Sequence, residues 1–188
     1  MKNNNPELQN KHTNILYEVK MKTKLLILSV ILFASIQLFA QDEIVLRDEL
    51  SILKPFVGKT WVSKEKHISE ERILNFTLKL EPMHGGKIIR IYGECKELNN
   101  QTDGYYYYDS DKKEIAFLSL TSNGNFAIGN VKEEVGKILR YGYTIFPDRK
   151  LEFRNTLEFT PDGKLIDKYF RYEDGEWKPG HSRVYTIE

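Results

Sequence analysis

Cysteine is nearly missing from this chain: Cys95 is the single one among 188 residues. A lone thiol cannot close an internal disulfide, so nothing covalent staples the fold. An excess of charge of either sign is missing too. With 28 Lys and Arg against 27 Asp and Glu, the chain has no electrostatic footprint for nucleic acid or an anionic lipid surface. Long apolar runs are scarce; the longest, Leu25 to Phe39, falls short of the about 20 residues a helix needs to cross a bilayer. After Lys59 no helix-length segment exists at all.

Catalytic signatures are equally hard to find. Ser110-Asp111-Lys112-Lys113 spells S-x-x-K, but in a hairpin turn and not on a helix. His84-Gly85-Gly86 has the form of an oxyanion loop, yet no G-x-S-x-G elbow supplies a nucleophile. Asp109 and Asp111 begin like a calcium loop, but Lys113 takes the next ligand position and the closing glutamate is missing. No glycine loop could cradle a phosphate. The expectation is a protein that is not an enzyme.

What the chain does contain begins with a delivery segment. Lys20, Lys22 and Lys24 precede the apolar run, which ends at Ala40 before the polar Gln41-Asp42-Glu43. That layout predicts a signal peptide over 21–40 with cleavage after Ala40, although Leu38 departs from the small-x-small rule; an uncleaved anchor is the rival reading. Residues 1–20 are Asn-rich and aperiodic, an unusual prelude to a signal segment, and make Met21 a candidate true start. Removing residues 1–40 takes away five Lys and two Glu, leaving 23 basic and 25 acidic groups on the mature chain. The remaining stretch of about 148 residues suits one domain with one core. The expected location is the periplasm or the exterior, with no membrane insertion after cleavage.

Over 41–58, Ile44, Val45, Leu46, Leu50, Ile52 and Leu53 recur at near-helical spacing up to Pro55, which predicts a short amphipathic helix over 43–54. From 59 to 188 the chain alternates short strands with turn signals. The strands are expected over 59–66, 73–81, 87–97, 104–109, 114–121, 125–132, 137–146, 150–160, 164–173 and 177–187. Short joints such as Asn123-Gly124 and Asp174-Gly175 make neighbours antiparallel. The fold class is therefore all-β: a single up-and-down antiparallel barrel of about ten strands, with the helix closing one end. That many strands should leave an interior cavity.

Two registers are open at Thr160-Pro161-Asp162-Gly163-Lys164. A three-residue loop with Gly163 left-handed puts Phe153, Leu157 and Phe159 on one face with Leu165, Tyr169 and Arg171. A two-residue turn would match them with Ile166, Phe170 and Tyr172 instead. The first is preferred, because the second asks Pro161 to occupy a paired position without an N–H.

Leu53-Lys54-Pro55-Phe56-Val57 followed by Gly58-Lys59-Thr60-Trp61, then His84 to Ile91, Tyr105 to Asp111, Asp174 to Trp177 and Gly180-His181, together span nearly all of the mature chain. In these motifs the sequence resembles exported bacterial lipocalin-like barrels of the calycin superfamily, whose function is unassigned. It is more distantly similar to fatty-acid-binding proteins and nitrobindin. The resemblance implies that Gly58 permits a tight entry and that Trp61 closes the barrel floor under a cation from the last strand, Arg183. Here the tryptophan follows the glycine by three residues where typical lipocalins have two.

Several residues are candidates for a site. Arg183 and Tyr185 share a face of the last strand and match the pair with which fatty-acid-binding proteins hold a carboxylate, although Arg90 and Tyr92 have the same spacing. Arg171 is a further polar candidate, with Tyr143 and Tyr169 as wall residues of the cavity. His181 and His67, on strands that closure would bring together, could bind haem or a metal, although exposed strand-end histidines are the preferred account. Tyr105 to Tyr108 send two rings to each face, as packing, a stacking surface or an exposed interaction patch. The leading expectation is a carrier of a small lipophilic ligand. The alternatives are an interaction module with a filled barrel, and an outer-membrane barrel, which the charged Glu152, Arg154, Glu158, Lys168 and Glu173 oppose.

Overall fold

In the computed structural model, residues 44–66 and 72–188 are described. The expected extension, the signal peptide, its cleavage point and His67 lie outside them. Ten strands follow one another: β1 Thr60–Lys66, β2 Ile73–Met83, β3 Ile88–Cys95, β4 Asn100–Asp109, β5 Glu114–Thr121, β6 Phe126–Glu134, β7 Lys137–Ile145, β8 Lys150–Phe159, β9 Leu165–Glu173 and β10 Glu176–Ile187. Each pairs antiparallel with its neighbours in sequence, and β1 pairs with β10 to close the barrel. This is an up-and-down architecture consistent with a lipocalin-like or fatty-acid-binding-protein-like fold.

The β8–β9 hairpin takes the three-residue loop. The Thr160 N–H bonds to the Lys164 carbonyl, and Gly163 sits at φ 81°. Phe159 therefore opposes Leu165, Leu157 opposes Asp167, and Phe153 opposes Arg171. Because side chains alternate, this register sends Asn155 and Asp167 inward with the apolar residues. The barrel interior is thus built with charge in it.

The N-terminal segment differs from the expected helix in type and limits. It is a 3-10 helix over Asp48–Phe56 that contains Pro55. Ile44, Val45 and Leu46 precede it outside any regular element, with Ile44 and Leu46 packed on the core and Val45 exposed. Local periodicity loses here to tertiary contacts, which anchor both ends of the segment. The Arg47 N–H bonds to the Gly86 carbonyl, and the Gly58 N–H to the Leu80 carbonyl. Leu50, Leu53 and Phe56 are buried, each contributing about 1.5–3 kcal/mol, and Phe56 meets Phe159 edge-on. The helix thereby plugs one end. Glycine is favoured at Gly58, the entry to β1, because its φ of 74° is one that L side chains rarely adopt; an added Cβ would also have to push the Ile44 Cδ1 methyl aside.

Trp61 is fully buried beneath this plug, packs edge-on against Phe159 at 6.0 Å, and donates its indole N–H to the Phe56 carbonyl at 3.0 Å. Its cationic neighbour is Lys59, 5.6 Å from the ring, and not Arg183 as the family resemblance implies. The closing register explains the correction. Trp61 faces Ile187, so Arg183 lies four residues, about 13 Å, further along β10.

Candidate functional site

Inside the barrel is a cavity of 240 Å³. One part of its wall is apolar, from Phe76, Leu78, Leu80 and Ile91, and the other carries Arg140, Asp167, Arg183 and Tyr185. Period-two alternation places all of these: β2 and β3 supply every second apolar side chain, and β7, β9 and β10 supply the polar ones.

Arg183 reaches inward from β10. Its guanidinium stands 3.7 Å over the Phe76 ring, and its Nε is 3.1 Å from Oε1 of Glu65 on β1. That approach is an ion pair without hydrogen-bond alignment, since neither atom has a hydrogen-bond partner among the described residues. Tyr185, one turn of the alternation further along β10, is buried. Burial pushes its phenol well above the ordinary tyrosine range, so the hydroxyl stays protonated beside the Arg183 charge. The expected pair is thus brought together, but with Glu65 already at the guanidinium.

A second cluster sits next to it. The Asp167 carboxylate accepts a hydrogen bond from the Asn155 amide and lies 3.5 Å from His181 Nε2. Burial pushes its carboxyl upward, but the neighbouring His181 ring, the Asn155 hydrogen bond and the Arg140 charge outweigh that, leaving it below the usual carboxylate range. Arg140 stacks its guanidinium 4.5 Å from the Phe117 ring, and its Nε is buried with no hydrogen-bond partner among the described residues. A buried, unfilled donor of this kind costs about 1–3 kcal/mol, so it marks a place where a ligand acceptor is favoured.

The remaining candidates are distributed as follows. Tyr169 is interior, the middle ring of a stack between Phe153 at 5.5 Å and His181 at 5.3 Å. Arg171 faces inward towards the end opposite the 3-10 helix, beyond the cavity wall, with its Nε donating to Glu173 at 2.8 Å. Tyr143 is a correction: it stands on the outer face, opposite Ile128 and Glu152, because Gly142 takes the inward position. Lys150 Nζ lies 3.5 Å over its ring.

His181 is drawn inward by an irregularity of β10 between Pro179 and Ser182. Its Nε2 faces Asp167 and its ring is covered by Tyr169. A porphyrin exceeds a 240 Å³ cavity, since even drug-sized ligands occupy about 300–1,000 Å³. The residues present therefore do not fit haem. Nor do three or more His, Cys, Asp or Glu side chains converge on a metal-sized point among the described residues.

Neither a protein-family model nor a curated protein matches this chain. The site is therefore read from its own chemistry. Sequence reasoning missed Glu65, Arg140, Asn155 and Asp167. The signal for two of them was present, since Asn155 and Asp167 lie at even spacing from Leu157 and Leu165 on the chosen hairpin face. Arg140 and Glu65 required the barrel to be closed before their inward direction had a meaning.

Proposed function

We propose that this protein is an exported, non-enzymatic carrier of a small amphipathic acid. The ligand would place its anionic end between Arg183 and Arg140 and its short apolar part against Phe76, Leu80 and Ile91. The observation that carries the reading is an interior space, partly open to solvent, in which two guanidinium groups present buried Nε donors without aligned partners. A guanidinium fork suits a carboxylate or a phosphate, and in a low-dielectric interior that contact is stronger than in water. Apolar contact adds about 25 cal/mol per Å² buried.

The volume narrows the ligand class. At 240 Å³ the space is below the range of drug-sized ligands, which favours a compact acid over the long-chain lipid suggested by fatty-acid-binding proteins.

Calorimetric titration with linear carboxylic acids of increasing length, and with the matching alcohols, tests the reading. The expected result is binding of short acids, a sharp fall beyond a limiting chain length, and no binding of alcohols. Equal affinity for acid and alcohol, or binding that survives both Arg183→Ala and Arg140→Met, would overturn it.

A further inference from the structure

The polar part of the cavity wall holds charge of both signs. Going round the barrel from β7 to β1, the inner face presents Arg140, Asn155, Asp167, Arg183 and Glu65, one from each strand, with Arg140 opposite Asn155 and Asp167 opposite Arg183. Two guanidiniums and two carboxylates cancel, so these groups sum to zero charge before a ligand arrives. A ligand that carries only a carboxylate adds an uncompensated negative charge to a low-dielectric space, which is costly. One that brings its own cation avoids that cost.

The unfilled polar atoms are likewise of two kinds. Among the described residues, Arg140 Nε and Arg183 Nε are buried donors without a hydrogen-bond partner, and Asn100 Oδ1 and Asn155 Oδ1 are buried acceptors in the same condition. A carboxylate supplies acceptors alone, whereas an ammonium supplies three donors.

Asp167 is placed to take such an ammonium. It lines the cavity, and its side chain keeps 14% of its surface accessible although it points into the barrel. Its carboxyl is held below the usual range, so it is ionised at neutral pH. Oδ1 accepts from Asn155, while Oδ2 has His181 Nε2 at 3.5 Å but no aligned hydrogen bond from it. A carboxylate has about four acceptor sites, so lone pairs remain for a ligand. The cross-strand neighbour Arg183 turns instead to Glu65, and Asp167 and Arg183 form no ion pair with each other. Directly opposed residues have Cβ atoms about 4.5–5.5 Å apart. The cation and the anion thus stand side by side, at a separation that two charged groups on one α-carbon can bridge.

We propose, on the carrier reading above, that the preferred ligand is a zwitterion, a small α-amino acid with an apolar side chain. Its carboxylate meets Arg183 and Arg140, its ammonium meets Asp167, and its side chain lies against Phe76, Leu80 and Ile91. At 240 Å³ the space holds about eight water-sized groups, the scale of such a molecule. Asp167 then sets specificity, separating amino acids from plain acids of the same skeleton.

Calorimetric titration of the purified full chain near neutral pH, with leucine, 2-hydroxy-4-methylpentanoate and 4-methylpentanoate, compares an ammonium, a hydroxyl and a hydrogen on matching skeletons. Leucine should bind at least about tenfold more tightly than the hydroxy acid. Asp167→Asn should bring the two within about threefold of each other. Leucine that binds no more tightly than the hydroxy acid, or not at all, overturns the inference; only failure of the linear acids as well removes the carrier reading. A preference for leucine that survives in folded Asp167→Asn overturns it too, and if that variant does not fold, the wild-type comparison still decides.

Discussion

Glu65 and Arg183 meet across the part of the β1–β10 seam where backbone pairing has stopped. The strands pair only at Trp61 with Ile187 and Val62 with Thr186. Continuing that register brings Glu65 opposite Arg183, and their side chains close to 3.1 Å. The ion pair is therefore both a latch on an unpaired stretch of the barrel wall and a competitor for any anion entering the cavity. Glu65→Gln should lower stability by about 1–2 kcal/mol, because it leaves a poorly solvated guanidinium without its counter-charge. It should also raise affinity for a short acid. Urea unfolding and calorimetry on the same variant check both; lowered stability with lowered affinity would remove the competition argument.

Asp167 sets an acid limit on the fold. Its folded carboxyl is held below the usual value, so its ionised form contributes stability above about pH 4. That contribution is lost as pH falls through the depressed folded value. Asp167→Asn should be less stable than wild type at neutral pH, with the gap narrowing below about pH 4. Urea midpoints measured between pH 2 and pH 7 follow this directly.

The cation over Trp61 can be assigned by fluorescence. Lys59→Met should alter Trp61 emission, because Lys59 Nζ lies over that ring, and Arg183→Ala should not. Trp61→Phe should cost more than either. It shrinks a fully buried side chain and leaves the Phe56 carbonyl without its donor, for about 2–3 kcal/mol in all.

Gly142→Ala tests the close approach of β6 and β7. An added Cβ would lie 2.1 Å from the Ile128 carbonyl oxygen, a backbone atom that cannot step aside, so a loss of about 2–3 kcal/mol is expected. At Gly163 the same substitution meets open space and only the positive φ opposes it, for about 1 kcal/mol. Paired melting curves that give equal losses would show that the close approach is relieved by strand movement.

Strand positions were legible in the sequence because most joints carry their own turn chemistry and the strands between them alternate. Pro161 and Gly163 fixed a hairpin register that then held for the inner face of β8 and β9. Trp61 and Arg183 were not legible as partners or non-partners, because their separation depends on how the first and last strands meet, which no local pattern encodes. Tyr143 went to the wrong side for a related reason: Tyr141, Gly142 and Tyr143 alternate correctly, but nothing local says that the glycine takes the inward place. The 3-10 helix shows the converse, a strong local period overridden by anchors at Gly86 and Leu80.

Ile44 rests against Gly58 at one end of the described barrel, and the Glu188 N–H bonds to the Thr60 carbonyl at the same end. Topologically the strands form a ring that happens to be cut beside the plug. The polypeptide could be joined there and reopened at another tip, such as Pro161 to Gly163, without altering which strand touches which. Order along the chain is thus separable from order around the wall.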